Sequence, residues 1–533
     1  LTESKLFVRE STGLVRQGSW IDSFVFNSSA SWLFGPLVFA LSQLFWLGGS
    51  DLILAEVVAL AFALCIATMY AILTSAMPRS GGDYVFNSRI IHPSVGFSFN
   101  FSLTVWQLFS AAFTLYFISY SALSPGLQVL GFFLGNKSLY SLGTALGTPL
   151  DSFIVGTLAN VVFAAVIASG IKKTFRLLDA LWIVTIIGTL AMIASLSSSS
   201  PSAFHASFNS FARVANGSGT VSDPFSYVAS QASSPIPYTL ALPAIAICSS
   251  SVIWVFWETY VSGEIKRADQ ARRNFTTMAS AALTNGALFI ILVYLLYRAF
   301  GTSFLVGLLN LSFTGTLFSS PLQAISGIII LSSGSALVAL LVIVAVVLGT
   351  TVLLLPALYL QPIRSIFAWS FDGVAPLSFS KVSGRLHTPI VSTLIISAVI
   401  EVSLVLITLE NSLLLPIFYA VIIAPAFSSI FPTALSAIAA SIRRRGTVVE
   451  LFRQQGISRP LIAILGVASL GFILFMTYVF VANEAAFSLS PALVALNFAF
   501  IPIGFVLFFV AYLIRRAKNK IDLAKIAAEI PPE

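Results

Sequence analysis

Charge is what this sequence has least of. Only 9% of its 533 residues are Asp, Glu, Lys or Arg, against about 25% in a soluble domain, and that excludes a water-soluble fold. Histidine is scarce as well. His92, His205 and His387 are the three present, all between or at the ends of long apolar runs, so no buried His relay is expected. The two cysteines, Cys65 and Cys248, both fall inside apolar runs and imply no disulfide framework. There is no His-Glu-x-x-His, no Gly-x-Ser-x-Gly, no phosphate-loop Gly-Lys-Ser/Thr and no Cys/His cluster at metal spacing. The sequence therefore gives an enzyme no support, and neither a metal nor an organic cofactor is expected. The first 20 residues are polar, without a signal-peptide pattern.

What the chain has is apolar length. It is 57% hydrophobic, with a mean hydropathy of +0.96. A helix of about 20 mostly apolar residues crosses a bilayer. By that measure twelve spans are expected, at 24–47, 52–76, 94–122, 151–170, 177–198, 239–262, 277–299, 327–360, 389–409, 413–441, 460–482 and 491–514. The third and eighth are long, which implies tilt or an appended short helix. With the N-terminus inside, 25 of the 28 Lys and Arg fall on inner segments, and only Lys137, Arg213 and Arg298 lie outside. Such asymmetry sets topology and predicts a multi-pass protein of the cell membrane with both termini cytoplasmic. The net charge of +8 is then a topology signal, and no nucleic-acid partner is expected.

The outer segments 123–150, 199–238 and 300–326 are rich in Ser, Gly, Thr and Pro, and carry the sequons Asn136-Lys137-Ser138 and Asn216-Gly217-Ser218. In the inner segment 361–388, the amphipathic stretch Ile363–Phe371 is expected to lie on the membrane surface. The tail Lys518–Glu533 reads as a short solvated helix or disorder.

Two apolar runs are interrupted. The first holds Asn27-Ser28-Ser29-Ala30-Ser31, and the sixth holds Cys248-Ser249-Ser250-Ser251. Hydrocarbon offers no water to a freed backbone group, so unwound chain persists at that depth only where it lines a protein cavity. Interrupted spans at matching places in two halves point to a substrate site near the midplane. Span one begins inside and span six outside, so 24–198 and 239–441 are expected as five-span repeats of opposite orientation. Residues 1–23 form an N-terminal segment, 199–238 the outer connection, 442–514 two further spans and 515–533 the tail.

A break has direct chemical use. Free N–H groups and a helix start attract an anion such as a carboxylate, while carbonyls ending the facing half-helix suit an ammonium. An amino acid or related amine presents both. Ser28, Ser29, Ala30 and Ser31 are assigned to the carboxylate end, and Ser249, Ser250 and Ser251 to the amine end. The alternative is that these small residues serve close helix packing. Trp254 either covers the substrate or faces core or lipid. Trp106 and Gln107 in span three either line the pocket or, for Gln107, bond helix to helix.

Carboxylates inside spans are costly and usually functional, and unpaired ones tend to hold a proton. Glu56, Glu258 and Glu401 are the three, with no Lys or Arg expected at comparable depth. Glu258 is a candidate for proton coupling or amine binding, or an inner-gate hydrogen bond. Glu56 is expected to reach the outer interface and Glu401 to make a packing or oligomer contact. Thr350 and Thr351 either ligate sodium or bond back to their own helix. Whether H+ or Na+ drives the cycle is left open.

Several segments resemble the amino acid–polyamine–organocation family of permeases, over roughly residues 13–480. Pro78-Arg79-Ser80-Gly81-Gly82-Asp83-Tyr84 with Pro93 and Gly96-Phe97 resembles its inner loop after span two. Gly263-Glu264-Ile265-Lys266 resembles its Glu-x-Lys element, and Arg364 with Asp372-Gly373, Pro376 and Thr388-Pro389 its signature after span eight. Ser29-Ala30-Ser31 stands where members often carry Gly-Ser-Gly, and Ala268 where a proline usually follows. The resemblance implies an all-α polytopic membrane protein of the leucine-transporter type, a 5+5 inverted repeat plus two extra helices. It also implies alternating access, an aromatic near Trp254 covering the substrate, and amino acids or related amines as substrates. A sensor on the same fold without net transport is the alternative.

Overall fold

The computed structural model describes residues 13–31, 34–42, 44, 51–215, 221–232, 241–313, 320–409, 414–443, 447–483, 490–519 and 523. The sequon at Asn216 and nearly all of the tail lie outside these residues. Among the described residues the chain is helical, and its one extended pairing is a bridge between Gly18 and Ile265.

Among the described residues, eleven helices are long and apolar enough to cross a membrane. A further crossing, the sixth, comes in pieces, giving about twelve spans. Helix Ala241–Cys248 is followed by a 3₁₀ turn at Ser249–Ser251, irregular turns, and a second 3₁₀ stretch at Trp257–Glu264. Span one is broken as well: helix Trp20–Ala30 stops at Ser31 and the chain resumes as Gly35–Ser42. The second interruption falls on its small polar run, at Ser249–Ser251, whereas in the first Asn27–Ala30 stay helical and the break begins at the run's last residue, Ser31. Leu158, Val161 and Val506 each stand 63% exposed on the outer helices, an apolar rim that hydrocarbon, not water, would cover.

Span eight differs from expectation at both ends. Residues 327–331 belong to a separate buried helix, Pro321–Leu331, and Gly334, at φ +69°, turns the chain before the span starts at Ala336. The span then continues to Phe371, so Ile363–Phe371 lies inside the protein, not on the membrane surface. Its basic residue, Arg364, is paired with a buried carboxylate (below), and that removes the reason for it to seek the interface. The outer segments are not simple loops either. They carry helices Lys137–Leu146, Pro201–Ala215, Pro224–Ser230 and Thr302–Phe313. Phe204, Phe208, Phe225 and Phe304 join three of these in one aromatic cluster. Asn136 of the first sequon caps its helix by accepting from the Leu139 N–H.

Spans three and eight each contain a π turn, at Ile118–Leu123 and Leu348–Val352, and the two pack together. A π turn releases regular hydrogen bonding and is often found at functional sites. Here the second accepts the break of span one, because the Phe34 N–H donates to the Gly349 carbonyl at 3.1 Å. A Cβ on Gly349 would sit 2.3 Å from Phe34 Cδ2, so the approach needs glycine. Gly349→Ala is expected to lower the unfolding midpoint in detergent by the equivalent of about 1–3 kcal/mol of overpacking. Gly384→Ala, with open space around the position, is the control and should leave the midpoint unchanged.

Candidate functional site

A cavity of about 70 Å³ lies between the two interrupted spans. A buried water needs about 10–15 Å³ on this measure, so the space suits a molecule of several heavy atoms. Ala30 from the break of span one and Ser250 from that of span six face it, with Gln107 and Thr114 of span three, Leu358 of span eight and Val421 of span ten. Trp254 and Trp257 form an aromatic wall, their rings edge to face at 5.4 Å. Four residues singled out in the sequence (Ala30, Gln107, Ser250 and Trp254) thus meet at one place. The Gln107 Oε1 is buried and has no partner among the described residues.

The other small polar residues point elsewhere. A 3₁₀ turn has three residues per turn, so the span-six serines diverge by about a third of a circle each. Ser249 faces Met476 of span eleven, Ser250 the cavity, and Ser251 Glu56 of span two. Each hydroxyl also bonds back three residues, to the carbonyls of Ala246, Ile247 and Cys248. The last carbonyls of a helix have no partner within it, and these serines supply one. In span one, Ser28 is a brace: it donates to Asn285 Oδ1 of span seven at 2.7 Å and accepts from Trp182 Nε1 of span five at 3.2 Å. The hydroxyls of Ser29 and Ser31 are buried and have no partner among the described residues.

Asn27 is a residue the sequence reading quoted but did not assign. Its Oδ1 accepts from the Glu258 N–H at 2.8 Å, tying the two interrupted spans together. Trp106 turns away from the cavity and donates to the Asn497 carbonyl. Thr351 bonds back to the Val347 carbonyl, while the Thr350 hydroxyl is buried with no partner among the described residues.

The acidic residues correct expectation. Glu258 is paired with Arg273 Nη1 at 3.1 Å and accepts from Thr277 Oγ1 at 2.7 Å. Arg273, in the first turn of span seven, reaches inward to Glu258 and Ser23, so a cation does occur at that depth. Glu56 does not reach an interface. It is fully buried and faces the span-six break. Glu401 accepts from Thr157 and Asn160 and joins spans four and nine.

Beyond the tryptophans, at the cation-rich end, the motif residues close the bundle. Arg364 clasps Glu264 through two bonds of 2.6 and 2.9 Å, both side chains 1% exposed. Arg89 clasps Asp372 in the same way, and the Tyr84 hydroxyl donates to that carboxylate. Asp83, in the short helix Asp83–Ile90 outside the spans, accepts from Tyr260 and Asn100. Burial pushes its carboxyl up to about 7 against the opposing pull of those donors. Backbone bonds from Gln17 and Gly18 to the Glu264 carbonyl pin the N-terminal segment to the end of span six.

A bundle of about twelve spans enclosing a small cavity between two interrupted helices defines a polytopic membrane protein. A sequence profile of the amino acid permease family matches residues 19–521, and the chain belongs to that family. No curated protein matches it individually.

Removing one partner of a buried ion pair strands the other charge at a cost of about 3–5 kcal/mol. Arg364→Met is therefore expected to lower the unfolding midpoint sharply, and Arg364→Met with Glu264→Leu to recover most of the loss. A single variant as stable as the wild type would show that this pair does not hold the end closed.

Proposed function

We propose that the chain is a secondary active permease that moves an amino acid or related amine across the cell membrane by alternating access. The observation that carries the reading is the cavity bounded by both breaks, with Ala30 on one side and Ser250 on the other. Ser29, Ala30 and Ser31 serve the carboxylate, supported by two buried hydroxyls that have no partner among the described residues. Ser250 and the carbonyls at the end of helix Ala241–Cys248 serve the amine, with Trp254 as cover and Gln107 as a polar wall. Ser28, Ser249 and Ser251 hold the breaks in shape through the contacts above.

The charge distribution supports a cytoplasmic position for the Arg364–Glu264 end, and on that reading the inner path is closed in this state. Transport then requires the two ion pairs and the backbone bonds of Gln17 and Gly18 to part as one group of helices rocks against the other. Glu258, held by Arg273 and Thr277, belongs to that inner closure rather than to the cavity. Thr350, beside the contact between Phe34 and Gly349, is the hydroxyl available to a coupling sodium.

Purified protein in liposomes, given a labelled amino-acid mixture under an inward proton gradient or an inward sodium gradient, is expected to accumulate label in one of the two. Binding without accumulation or exchange under any gradient would replace the permease with a sensor on the same fold.

A further inference from the structure

Glu56 occupies a place that the site as described does not use. Its Oε1 lies 2.6 Å from Ser251 Oγ, and that same oxygen lies 2.7 Å from the Cys248 carbonyl oxygen. A serine hydroxyl owns one hydrogen. Sharing that one hydrogen between two acceptors weakens both contacts, whereas each is a full, short hydrogen bond if a second hydrogen comes from a neighbour. A carbonyl has none to give, so it comes from Glu56. Oε2 is buried and has no partner among the described residues. As a carboxylate, Glu56 would keep two oxygens in a dry site with one neutral donor between them, an expensive arrangement. As an acid it needs one acceptor, and Ser251 is there.

The groups around it favour the same state. The Cys248 thiol on span six is within electrostatic reach of Glu56, and Asp51, which caps span two, is within reach of that thiol. Tyr297 on span seven lies beside both of these. Arg298, also on span seven, is exposed at its outer end. On span eleven the nearest polarity is the Met476 sulfur, which faces Ser249. No Lys or Arg among the described residues pairs with Glu56.

Its position is also connected. Ser251 follows Ser250, which faces the cavity. A Cβ on Gly286 of span seven would lie 3.4 Å from Oε1, and the preceding residue, Asn285, holds the Ser28 hydroxyl and carbonyl at the other break. The carboxyl group therefore touches the layer that joins both interrupted spans.

We propose that Glu56 holds a proton in this state and is the group that carries the coupling proton through the transport cycle; the second half of this rests on the permease reading, the first does not. On release, the Glu56 O–H bond breaks and the proton passes to water on the side to which the cavity opens. Ser251 then turns its hydrogen from the Cys248 carbonyl to the new carboxylate, and the last helical turn before the break loses one cap. Protonation reverses this and restores the cap. The charge state of span two is thereby tied to the shape of the substrate wall in span six.

Glu56→Gln tests it, because the amide donates to Ser251 as the acid does but cannot release a proton. Two readouts are needed on the full-length protein. In infrared spectra at neutral pH, the wild type should show the carbonyl band of a buried neutral carboxyl group that Glu56→Gln lacks, and Ser251→Ala should shift that band by removing its acceptor. In proteoliposomes, Glu56→Gln should exchange labelled amino acid as the wild type does, yet gain nothing from an imposed proton gradient. An unchanged infrared band in Glu56→Gln overturns the protonation, and gradient-driven accumulation by that variant overturns the coupling. A wild type that shows the band but neither uptake nor exchange overturns the permease reading, and the coupling with it, while the proton on Glu56 stands.

Discussion

Everything in this structure follows from one constraint: a backbone polar group inside hydrocarbon must find its partner within the protein. Ten spans meet it by staying helical. Spans one and six do not, and the surrounding bundle is arranged to make good what they lose. The span-six serines bond back to the three carbonyls before them. Asn27 takes the Glu258 N–H, Asn285 takes the Ser28 carbonyl, and Gly349 in a π turn takes the Phe34 N–H. Among the described residues, the buried groups left without partners include the hydroxyls of Ser29 and Ser31 at the first break, and the Gln107 amide oxygen and Trp257 Nε1 on residues that line the cavity.

The ion pairs belong to the same logic on a larger scale. A buried charge is tolerated only when paired, so Arg364–Glu264, Arg89–Asp372 and Arg273–Glu258 each fix two elements against one another. All three lie toward the cation-rich end. On the permease reading proposed above, these are the bonds that would part to open that end, and a half-opened pair would carry the desolvation cost without the attraction.

Much of this was legible in the sequence. Low charge, twelve apolar runs and the lopsided Lys/Arg distribution fix a polytopic membrane protein without any structure. The small polar runs at 27–31 and 248–251 mark both interruptions, the first at the end of its run and the second along it. What could not be read was direction. Ser249, Ser250 and Ser251 look alike in sequence, yet a 3₁₀ turn sends them to three different neighbours, and only one reaches the cavity. Ile363–Phe371 reads as a surface helix because its Arg364 looks unpaired until the chain brings Glu264 to it from 100 residues away. Glu56 reads as interfacial by its position near the start of span two, and only the packing of span six shows it to be enclosed.

The central claim is that the substrate sits between the two breaks, against Ser250. Thiol labelling tests it most directly. In a background carrying Cys65→Ser and Cys248→Ala, the variants Ser250→Cys and Ser249→Cys are each treated with a small thiol reagent, with and without amino acids. The account predicts that a transported amino acid slows modification at position 250 and leaves position 249 as it was. Equal rates at position 250 with and without every amino acid that the protein binds would contradict it.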